Sequence, residues 1–440
     1  MGSEHVNRSR PFAGRTRAIG WVSILVFVGY VVWSHMKWHL AKDTLLLEGL
    51  FAATALLVLM FMISGLYWRS FTHLAPASGR VLAIVPCYNE ESHLVHAVVR
   101  SLLRQSILPD EIHVVDDGSA VPLETFDDPL VTWHHIPNGG KRHAQAHVLE
   151  QFAPKEFDFI FTVDSDSVVD DDALEHLLRA MKDERVQAAT GMILMRNWDE
   201  NVLTRLTDIN VVTSCLVFRM LRSWFGVVSP TSGALALYRS EVIYDNLFDY
   251  LHSGTVGDDR RLSFYALLRG QVVGVTESVV CTELPSTWHD VFMQRMRWSK
   301  SAWLGVGFVM TNLPLLAMFF YVLPLVFCLI WPVAVSALLT LAVRDGNPVV
   351  YFGLVWWVVC SVTQTALYAM YRPGFSTRQR WLQFALSPVY PLFGLLVLRP
   401  AAYWALTKLR SNAWHTREVA VSESQAPISR AEELTNVIRT

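Results

Sequence analysis

The chain has 440 residues, of which 52% are hydrophobic and only 17% charged, with 16 Trp and 23 Phe. This composition is too apolar for a soluble protein of this size, and the polar middle of the chain argues against a pure membrane bundle. The formal net charge of −2 gives no support for nucleic-acid binding. The five cysteines are scattered and odd in number, which argues against a disulfide framework or a zinc site.

The N-terminal part of the chain predicts two membrane-spanning helices within residues 18–68. Residues 1–17 are polar and basic, and apolar runs follow at about residues 18–36 and 45–68. Each run is close to the roughly 20 residues that cross a bilayer core. The arginines before the first run favour a cytoplasmic N-terminus. A cleaved signal peptide is the rival interpretation, but no small-residue cleavage pattern is present and a second run follows at once.

Residues 80–300 change character and predict a soluble α/β domain on the cytoplasmic side, because they contain no run of membrane length. Residues 81–86 and 111–115 are predicted strands. A helix is predicted between them, from Asn89 as its N-cap to about Arg104. This order predicts parallel strands joined by a right-handed crossover.

Acidic residues follow two of the predicted strands. Asp116 and Asp117 come directly after the second strand, and Asp164 and Asp166 follow an apolar strand at residues 157–163. Ligand sites in such sheets lie at the carboxyl ends of the strands. Carboxylate oxygens there are the hard ligands that Mg²⁺ or Mn²⁺ prefers. An Asp-rich turn without function is the alternative for Asp164 and Asp166 taken alone.

A basic loop with two glycines occupies residues 138–144. The glycines allow the backbone to approach an anion closely, and Lys141 and Arg142 can neutralise phosphates. An ordinary turn before a helix fits the same residues, so the loop alone leaves both interpretations open.

Two further motifs lie on predicted helices. Asp258 and Asp259 open one helix, where a carboxylate is most often a cap but acts as a general base if it faces a cleft. Arg297 and Trp298 are adjacent on another helix and point about 100° apart. One can then meet a phosphate while the other offers a stacking face, although an Arg–Trp pair is also typical of a bilayer surface.

Apolar runs return after the α/β domain and predict a second membrane region over residues 301–409. Residues 313–343 and 349–371 form two long runs. Residues 381–409 are too short for two full spans and predict a re-entrant or interfacial pair, with two short tilted spans as the alternative. Three arginines within residues 372–380 favour a cytoplasmic loop.

Five motifs therefore follow one another in a single α/β domain between apolar regions. They are Asp-Asp-Gly-Ser at 116–119, the basic loop at 138–144, Asp-Ser-Asp at 164–166, Gly-Asp-Asp-Arg at 257–260 and Gln-Arg-Met-Arg-Trp at 294–298. This ordered set resembles the processive family-2 glycosyltransferases, which include the cellulose, chitin and hyaluronan synthases. The resemblance implies a GT-A-type α/β glycosyltransferase domain inserted between α-helical transmembrane segments.

Within that group the chain is most similar to the hyaluronan synthases. The branch motifs G-D-D-R, G-K-R-H-A and R-W-x-K-S are matched, and residues 411–417 resemble its W-G-T-R segment. That segment implies a gating-type loop in the cytoplasmic tail, residues 410–440. Two departures are Ala234, where Pro is expected, and His415, which replaces Gly. A synthase of chitin oligosaccharide, poly-N-acetylglucosamine or another β-linked polymer therefore stays open as an alternative.

The resemblance also implies a role for each motif residue. The residues expected to bind the nucleotide sugar are Asp116, Asp117, Lys141, Arg142, Asp164, Arg297 and Trp414. Asp166, together with Asp164, is expected to bind the divalent cofactor, Mg²⁺ or Mn²⁺. Asp259 matches the catalytic base, and Asp258 lies beside it.

The expected acceptor is a growing polysaccharide bound by Gln294 and Trp298. The implied function is transfer from UDP-sugars, most similar to hyaluronan synthesis from UDP-GlcNAc and UDP-GlcA, with export of the polymer across the cell membrane. Direct inverting displacement needs one base and no carboxylate nucleophile. A non-processive transferase with a lipid-linked acceptor is a further alternative, and a transporter without catalysis is another. The predicted spans contain almost no charged residues apart from Glu48, which argues against the transporter.

Overall fold

The computed structural model describes residues 67–253, 257–345 and 349–410, together with isolated positions between residues 21 and 63. Most of the two predicted N-terminal spans lies outside the described residues, as does the tail segment with Trp414 and His415. The chain divides into a unit of residues 1–409 and a unit of residues 410–440.

An eight-stranded mixed sheet forms the centre of the described chain. Its strands are β1 (Val81–Cys87), β2 (Glu111–Asp117), β3 (Val131–Ile136), β4 (Phe159–Thr162), β5 (Val168–Val169), β6 (Val186–Met195), β7 (Ala236–Arg239) and β8 (Gln271–Thr282). The helices within and directly after this part are α1 (Ser92–Leu102), α2 (Lys141–Leu149), α3 (Ala173–Met181), α4 (Val202–Thr213), α5 (Met220–Trp224), α6 (Ser240–Tyr244), α7 (Leu247–His252), α8 (Asp258–Arg269) and α9 (Trp288–Asn312).

The strand order in the sheet is β3-β2-β1-β4-β7-β6-β8-β5. Strands β1 to β4 are mutually parallel, which confirms the parallel pairing predicted for β1 and β2. Strand β7 runs antiparallel between β4 and β6, so the sheet as a whole is mixed. The carboxyl ends of β1, β2 and β4 consequently meet at one edge.

Strand β1 is buried on both faces, because helices cover the sheet on either side. Val81, Ala83 and Val85 pack into a cluster with α1 and α3. Leu82 and Ile84 pack into a second cluster on the opposite face, with α2 and α8. Full burial of one such side chain contributes roughly 1.5–3 kcal/mol, which explains why an uninterrupted apolar run forms this central strand.

The prediction of Asn89 as the N-cap of α1 is wrong. The helix begins at Ser92, with Glu91 at the cap position and no side-chain hydrogen bond there. Asn89 has a φ of +52°, its N–H donates to Ser119 Oγ at 2.8 Å, and its Oδ1 accepts from the Ala120 N–H at 2.9 Å. Asn89 therefore connects the turn after β1 to the loop after β2.

The C-terminal part of the first unit is helical. Its helices are α10 (Leu315–Asp345), α11 (Val349–Tyr371), α12 (Thr377–Phe384), α13 (Tyr390–Phe393) and α14 (Arg399–Thr407). A π-helical turn, Gly394–Leu398, joins α13 to α14, and a similar turn, Ser214–Arg219, joins α4 to α5 in the preceding part of the chain. Helices α10 and α11 coincide with the two long apolar runs. In the described ranges, one stretch, Leu315–Val333, is long and apolar enough to cross a membrane by length and composition. The number of crossings stays a prediction.

Arg372, in the loop that the sequence predicts to be cytoplasmic, is buried in an ion pair. Its Nε donates to Asp208 Oδ2 at 2.7 Å, and its Nη2 donates to the Met195 carbonyl at 3.2 Å. Arg380 donates to the carbonyl of Ala369 at the end of α11, at 2.6 Å. Two of the three arginines of this loop therefore bind within the protein, so fewer charges than the sequence indicated support its cytoplasmic placement.

Candidate active site

The acidic motifs meet at the sheet edge formed by the carboxyl ends of β1, β2 and β4. The register pairs Cys87 at the end of β1 with Asp116 on β2. It also pairs Ile84 on β1 with Thr162, two residues before Asp164. Parallel pairing therefore brings side chains from distant parts of the chain to one edge, as expected for a ligand site in an α/β fold.

Asp116 is buried, and both oxygens of its carboxylate have hydrogen-bond partners. The Ser119 N–H donates at 3.0 Å, and the Nδ1 of His135 lies 3.1 Å away. Burial alone would raise the pKa of Asp116, but these hydrogen bonds outweigh it and lower the pKa below its usual value. The carboxylate is therefore ionised at neutral pH.

Asp117 determines the shape of the glycine loop. Its two carboxylate oxygens accept from the N–H groups of Gly139 and Gly140, both at 2.8 Å. Asn138 donates from its side chain to the Asp117 carbonyl at 2.9 Å. In this structure the anion that the glycine amides bind is thus a protein carboxylate. Because α2 begins at Lys141 directly after these contacts, Asp117 sets the position of that lysine.

Lys141 forms an ion pair with Asp164. Burial alone would lower the pKa of Lys141. The attraction of Asp164, Asp258 and Asp259 outweighs burial and raises the pKa above its usual value, so the lysine is protonated at neutral pH. Gly233 packs against this pair: a Cβ atom there would lie 2.8 Å from Asp164 Oδ2 and 3.2 Å from Lys141 Nζ. One cation therefore pairs with the sheet-edge carboxylate of Asp164 and lies within electrostatic range of the two carboxylates of α8.

The position where the resemblance expects proline also has a local role. Ala234 is buried, and its backbone N–H donates to Ser232 Oγ at 3.2 Å. Proline has no N–H and could not make this hydrogen bond. The departure from the family pattern is therefore accommodated within the turn that carries Gly233.

Asp164 and Asp166 fit a divalent cation. Both are partly exposed at the sheet edge, and Asp166 Oδ1 accepts from Ser167 Oγ at 2.9 Å and Thr282 Oγ1 at 3.2 Å. Asp164 pairs with the Lys141 cation, and Gly233 allows the chain to approach that pair closely. Among the described residues, no group of three His, Cys, Asp or Glu side chains could hold a metal. This donor set suits Mg²⁺, which commonly binds one or two carboxylates together with substrate phosphates.

Asp258 and Asp259 begin α8 but have different surroundings. Asp258 is held by Arg142, whose Nε donates to its Oδ1 at 2.7 Å. Asp259 Oδ1 accepts from the Arg260 N–H at 2.9 Å. Burial raises the pKa of Asp259, and neighbouring Asp258 adds to this, although Arg260 and Lys141 act in the opposite direction. A carboxylate with a raised pKa is a better proton acceptor than an ordinary aspartate.

The start of α8 is tied to α9. Arg260 Nε donates to the Ser301 hydroxyl at 3.0 Å. Gly257 precedes the helix with a φ of +96°, and a Cβ atom there would collide with Ser301 Oγ. Close packing at Ser301 thus fixes the helix with Asp259 relative to the helix with Trp298.

The Gln-Arg-Met-Arg-Trp motif lies on α9, as predicted. Trp298 is 41% exposed, and the guanidinium carbon of Arg295 lies 4.4 Å from the centroid of its ring. Gln294 has a buried Oε1 without a hydrogen-bond partner in the described part of the chain, and Arg297 is half-buried. One face of Trp298 is therefore occupied by a protein cation, which leaves the exposed part of the ring for other contacts.

Sequence reasoning did not single out Gly233, Arg260 or Arg295. Gly233 lies in the small-residue stretch before β7 and Arg260 within Gly-Asp-Asp-Arg, so position in a motif was the available signal for both. For Arg295 the available signal was likewise its position, within Gln-Arg-Met-Arg-Trp. The structure gathers Lys141, Asp164 and the α8 carboxylates at one place, whereas Trp414 lies outside the described residues.

The fold and this site define a GT-A-like α/β glycosyltransferase, and the chain belongs to glycosyltransferase family 2: residues 76–301 match the model described as "Glycosyltransferase like family 2". The chain is 31% identical over 366 residues to the hyaluronan synthase of Streptococcus pyogenes. That alignment covers 78% of this chain and 84% of the synthase. It is 29% identical over 377 residues to an N-acetylglucosaminyltransferase of Neorhizobium galegae, covering 79% of this chain and 84% of the relative.

The fold is also similar to a solved mannosyltransferase from Pyrobaculum calidifontis, in complex with GDP-mannose and Mn²⁺. The TM-score is 0.50 at 17% identity, covering 92% of this chain and 99% of that chain. This similarity supports the fold alone. The predicted membership in family 2 and the predicted similarity to hyaluronan synthases are confirmed.

Proposed function

We propose that the protein is a membrane-embedded, processive hyaluronan synthase that transfers N-acetylglucosamine and glucuronic acid from UDP-sugars to a growing polysaccharide. The observation that carries this proposal is the Lys141 cation, which pairs with Asp164 and lies within electrostatic range of Asp258 and Asp259, the carboxylates that begin α8. A diphosphate bound at Lys141 would then lie close to the candidate base, Asp259. The similarity to hyaluronan synthase over most of both chains supports an acidic polymer.

The donor is proposed to bind along the sheet edge. Asp116 and Asp117 shape the loops that would receive the uridine, and Lys141 supplies a positive charge near the diphosphate. Asp164 and Asp166 would hold Mg²⁺ or Mn²⁺, which neutralises negative charge on the departing diphosphate. Arg297, on α9, is proposed to contact the same diphosphate.

Asp259 is proposed to accept the proton of the acceptor hydroxyl. The freed oxygen forms a bond to the anomeric carbon of the donor sugar, and the bond from that carbon to the diphosphate breaks, so UDP leaves with the electron pair. A single displacement of this kind inverts the configuration and needs no carboxylate nucleophile. The raised pKa of Asp259 suits a general base, and Asp258, clamped by Arg142, lies beside it.

The acceptor is proposed to stack on the exposed part of Trp298, with Gln294 nearby on the same helix. The polymer would then leave through the membrane region. Leu315–Val333 is suited to that region by length and composition. Charged sugars do not cross lipid unaided, so a synthase of an acidic polymer on the cytoplasmic side requires such a conduit.

A synthase of chitin oligosaccharide or a related polymer is the second candidate. It is favoured by the 29% identity to an N-acetylglucosaminyltransferase over 79% of the chain. A hyaluronan synthase needs UDP-GlcA as well as UDP-GlcNAc, whereas a chitin-oligosaccharide synthase needs no donor of glucuronic acid.

The deciding experiment supplies membranes containing the protein with UDP-GlcNAc alone, UDP-GlcA alone, or both. The proposal predicts polymer only with both donors, and complete digestion of the product by a hyaluronan-specific hydrolase. Polymer from UDP-GlcNAc alone that chitinase digests would reject hyaluronan and support the second candidate. Membranes with an Asp259→Asn variant control for other transferases of the host.

A further inference from the structure

Arg295 is a buried cation without an anionic partner among the described residues. Its residue exposure is 7%, and no described residue forms a hydrogen bond with its Nε or Nη2 atom. Burial lowers the pKa of Arg295 only to about 10, with Tyr390 acting in the opposite direction, so the guanidinium is charged at neutral pH. Within the described part of the chain no carboxylate forms an ion pair with it.

The other buried arginines of the described chain are compensated. Arg261 pairs with Asp249, and Arg372 pairs with Asp208. Buried charges and buried polar atoms are normally paired, because an unpaired one loses its hydration without replacement. Two buried N–H donors of Arg295 therefore point to a partner that is not part of these residues.

Arg295 lies on the acceptor side of α9. Trp298 is three residues further along the same helix, and the two side chains are in contact, with 4.4 Å between the guanidinium and the ring centroid. Ser301, which faces α8, lies six residues from Arg295, so their directions differ by about 120° around the helix axis. Arg295 thus faces away from the carboxylates of the donor site and towards Tyr390 on α13.

We propose that Arg295 binds the carboxylate of a uronic acid unit in the acceptor polysaccharide. A guanidinium presents its donors in a planar fork that matches a carboxylate, and the proposed sugar platform, Trp298, lies directly beside it. The proposal rests on the proposed function, because it requires an acceptor that contains glucuronic acid. It makes Arg295 a determinant of acceptor specificity, whereas Lys141 serves the donor diphosphate.

The test compares two acceptors that differ in one chemical group. One is a hyaluronan oligosaccharide ending in glucuronic acid, and the other is the same oligosaccharide with its carboxyl groups reduced to alcohols. Transfer of N-acetylglucosamine from UDP-GlcNAc is measured for both. A hydrogen-bonded charge pair typically corresponds to roughly a 10- to 100-fold effect, so the wild-type kcat/KM should favour the carboxylate form by about that factor.

Arg295→Gln should reduce kcat/KM for the carboxylate acceptor to the level of the reduced acceptor. Transfer to the reduced acceptor should change less than about threefold, since Gln keeps a polar side chain but has no charge. Arg295→Lys, which keeps the charge without the fork, should retain part of the preference. Arg399→Gln is the matched control: Arg399 also stacks on a tryptophan, Trp331, at 3.7 Å, and its removal should leave the preference unchanged.

If Arg295→Gln lowers kcat/KM equally for both acceptors, Arg295 acts only by supporting the Trp298 ring, and the inference is overturned. Unchanged rates for both would overturn it as well. Weaker UDP binding in calorimetry would assign the arginine to the diphosphate instead. If the wild type makes hyaluronan without preferring the carboxylate acceptor, this inference alone fails. If it makes only a neutral polymer, the inference fails together with the hyaluronan proposal.

Discussion

Arg142 holds Asp258 through a largely shielded ion pair, with 2.7 Å between Nε and Oδ1 and side-chain exposures of 11% and 14%. The Nη1 atom of Arg142 also donates to the Tyr250 carbonyl at 2.9 Å and the Ser253 hydroxyl at 2.6 Å. The resemblance places Arg142 near the nucleotide, and this stays a prediction. The contacts add a positioning role, because they fix one of the two carboxylates that begin α8.

Arg142→Lys is expected to lower kcat while leaving UDP affinity nearly unchanged. Lysine keeps the charge but cannot contact Asp258, Tyr250 and Ser253 at once, so the start of α8 loses its fixed position. A decrease of about 10- to 100-fold corresponds to a misplacement of catalytic groups by about an ångström. Transfer kinetics and UDP calorimetry measure the two effects. A large loss of UDP affinity with unchanged kcat would instead identify Arg142 as a nucleotide ligand.

Asp259→Asn is expected to abolish most transfer but not UDP binding. Asparagine keeps the size of the side chain but cannot accept the proton of the acceptor at neutral pH, and loss of a general base costs on the order of 10²- to 10⁴-fold. Asp258→Asn serves as the internal control and should retain more activity. Near-wild-type transfer by Asp259→Asn would refute its assignment as the base. Loss of UDP binding as well would make Asp259 a structural or nucleotide-binding residue.

Transfer is expected to require a divalent cation held by Asp164 and Asp166. Excess chelator should stop the reaction, and added Mg²⁺ or Mn²⁺ should restore it, because the diphosphate leaves with developing negative charge. Asp166→Ala should remain inactive even with added metal and should weaken Mn²⁺-dependent UDP binding. Asp127→Ala, an exposed aspartate before β3, is the control. Full turnover in excess chelator would contradict the prediction.

Gly233→Ala is expected to impair transfer without unfolding the protein. The added methyl group would meet Asp164 Oδ2 at 2.8 Å and Lys141 Nζ at 3.2 Å, so the ion pair must shift. Gly307→Ala on α9 is the matched control, since no atom of the described residues lies within 4 Å of its added methyl group. Initial rates and thermal unfolding of both variants separate a local effect from global destabilisation. Equal activity of the two variants would show that the contact is unimportant.

Stability is expected to decrease below about pH 6.5, because of a histidine cluster on β2, β3 and α2. His134 lies 2.9 Å from His113 between the ring nitrogens and stacks edge-on with His147. Burial first, and then the neighbouring histidines, lower the pKa of His134 to about 4. The neutral form is therefore favoured in the folded state, so the full stability is present above the unfolded pKa of about 6.5.

As the pH falls from about 6.5 to 4, the unfolded chain takes up this proton before the folded protein does, and the midpoint of thermal unfolding should drop. His134→Asn, which does not titrate in this range, should show a weaker dependence on pH. Unfolding of the detergent-solubilised protein between pH 4 and 7.5 checks this. Parallel curves for wild type and variant would exclude His134 as the source. His96→Asn, a histidine outside the cluster, is the control.

Strong local patterns were sufficient for part of the fold. The uninterrupted apolar run of β1 predicted a strand, and α10 and α11 follow the two long apolar runs. Strands β6 and β8 were not predicted. Gly191 interrupts the apolar pattern of β6 and Gly274 that of β8, and the pairing between the two strands shifts register twice. The antiparallel position of β7 between β4 and β6 could not be inferred either, since four residues carry no signal of their partners.

The sequence by itself determined which chemical groups follow which strands and helices, because apolar periodicity and strand ends are local properties. It thereby predicted the acidic sheet edge with Asp164 and the carboxylates at the start of α8. Only the tertiary structure decided how the charges pair. Arg142 binds Asp258 across 116 positions and Arg372 binds Asp208 across 164. Ion pairs form between groups that folding brings within a few ångströms, and no local pattern encodes that distance.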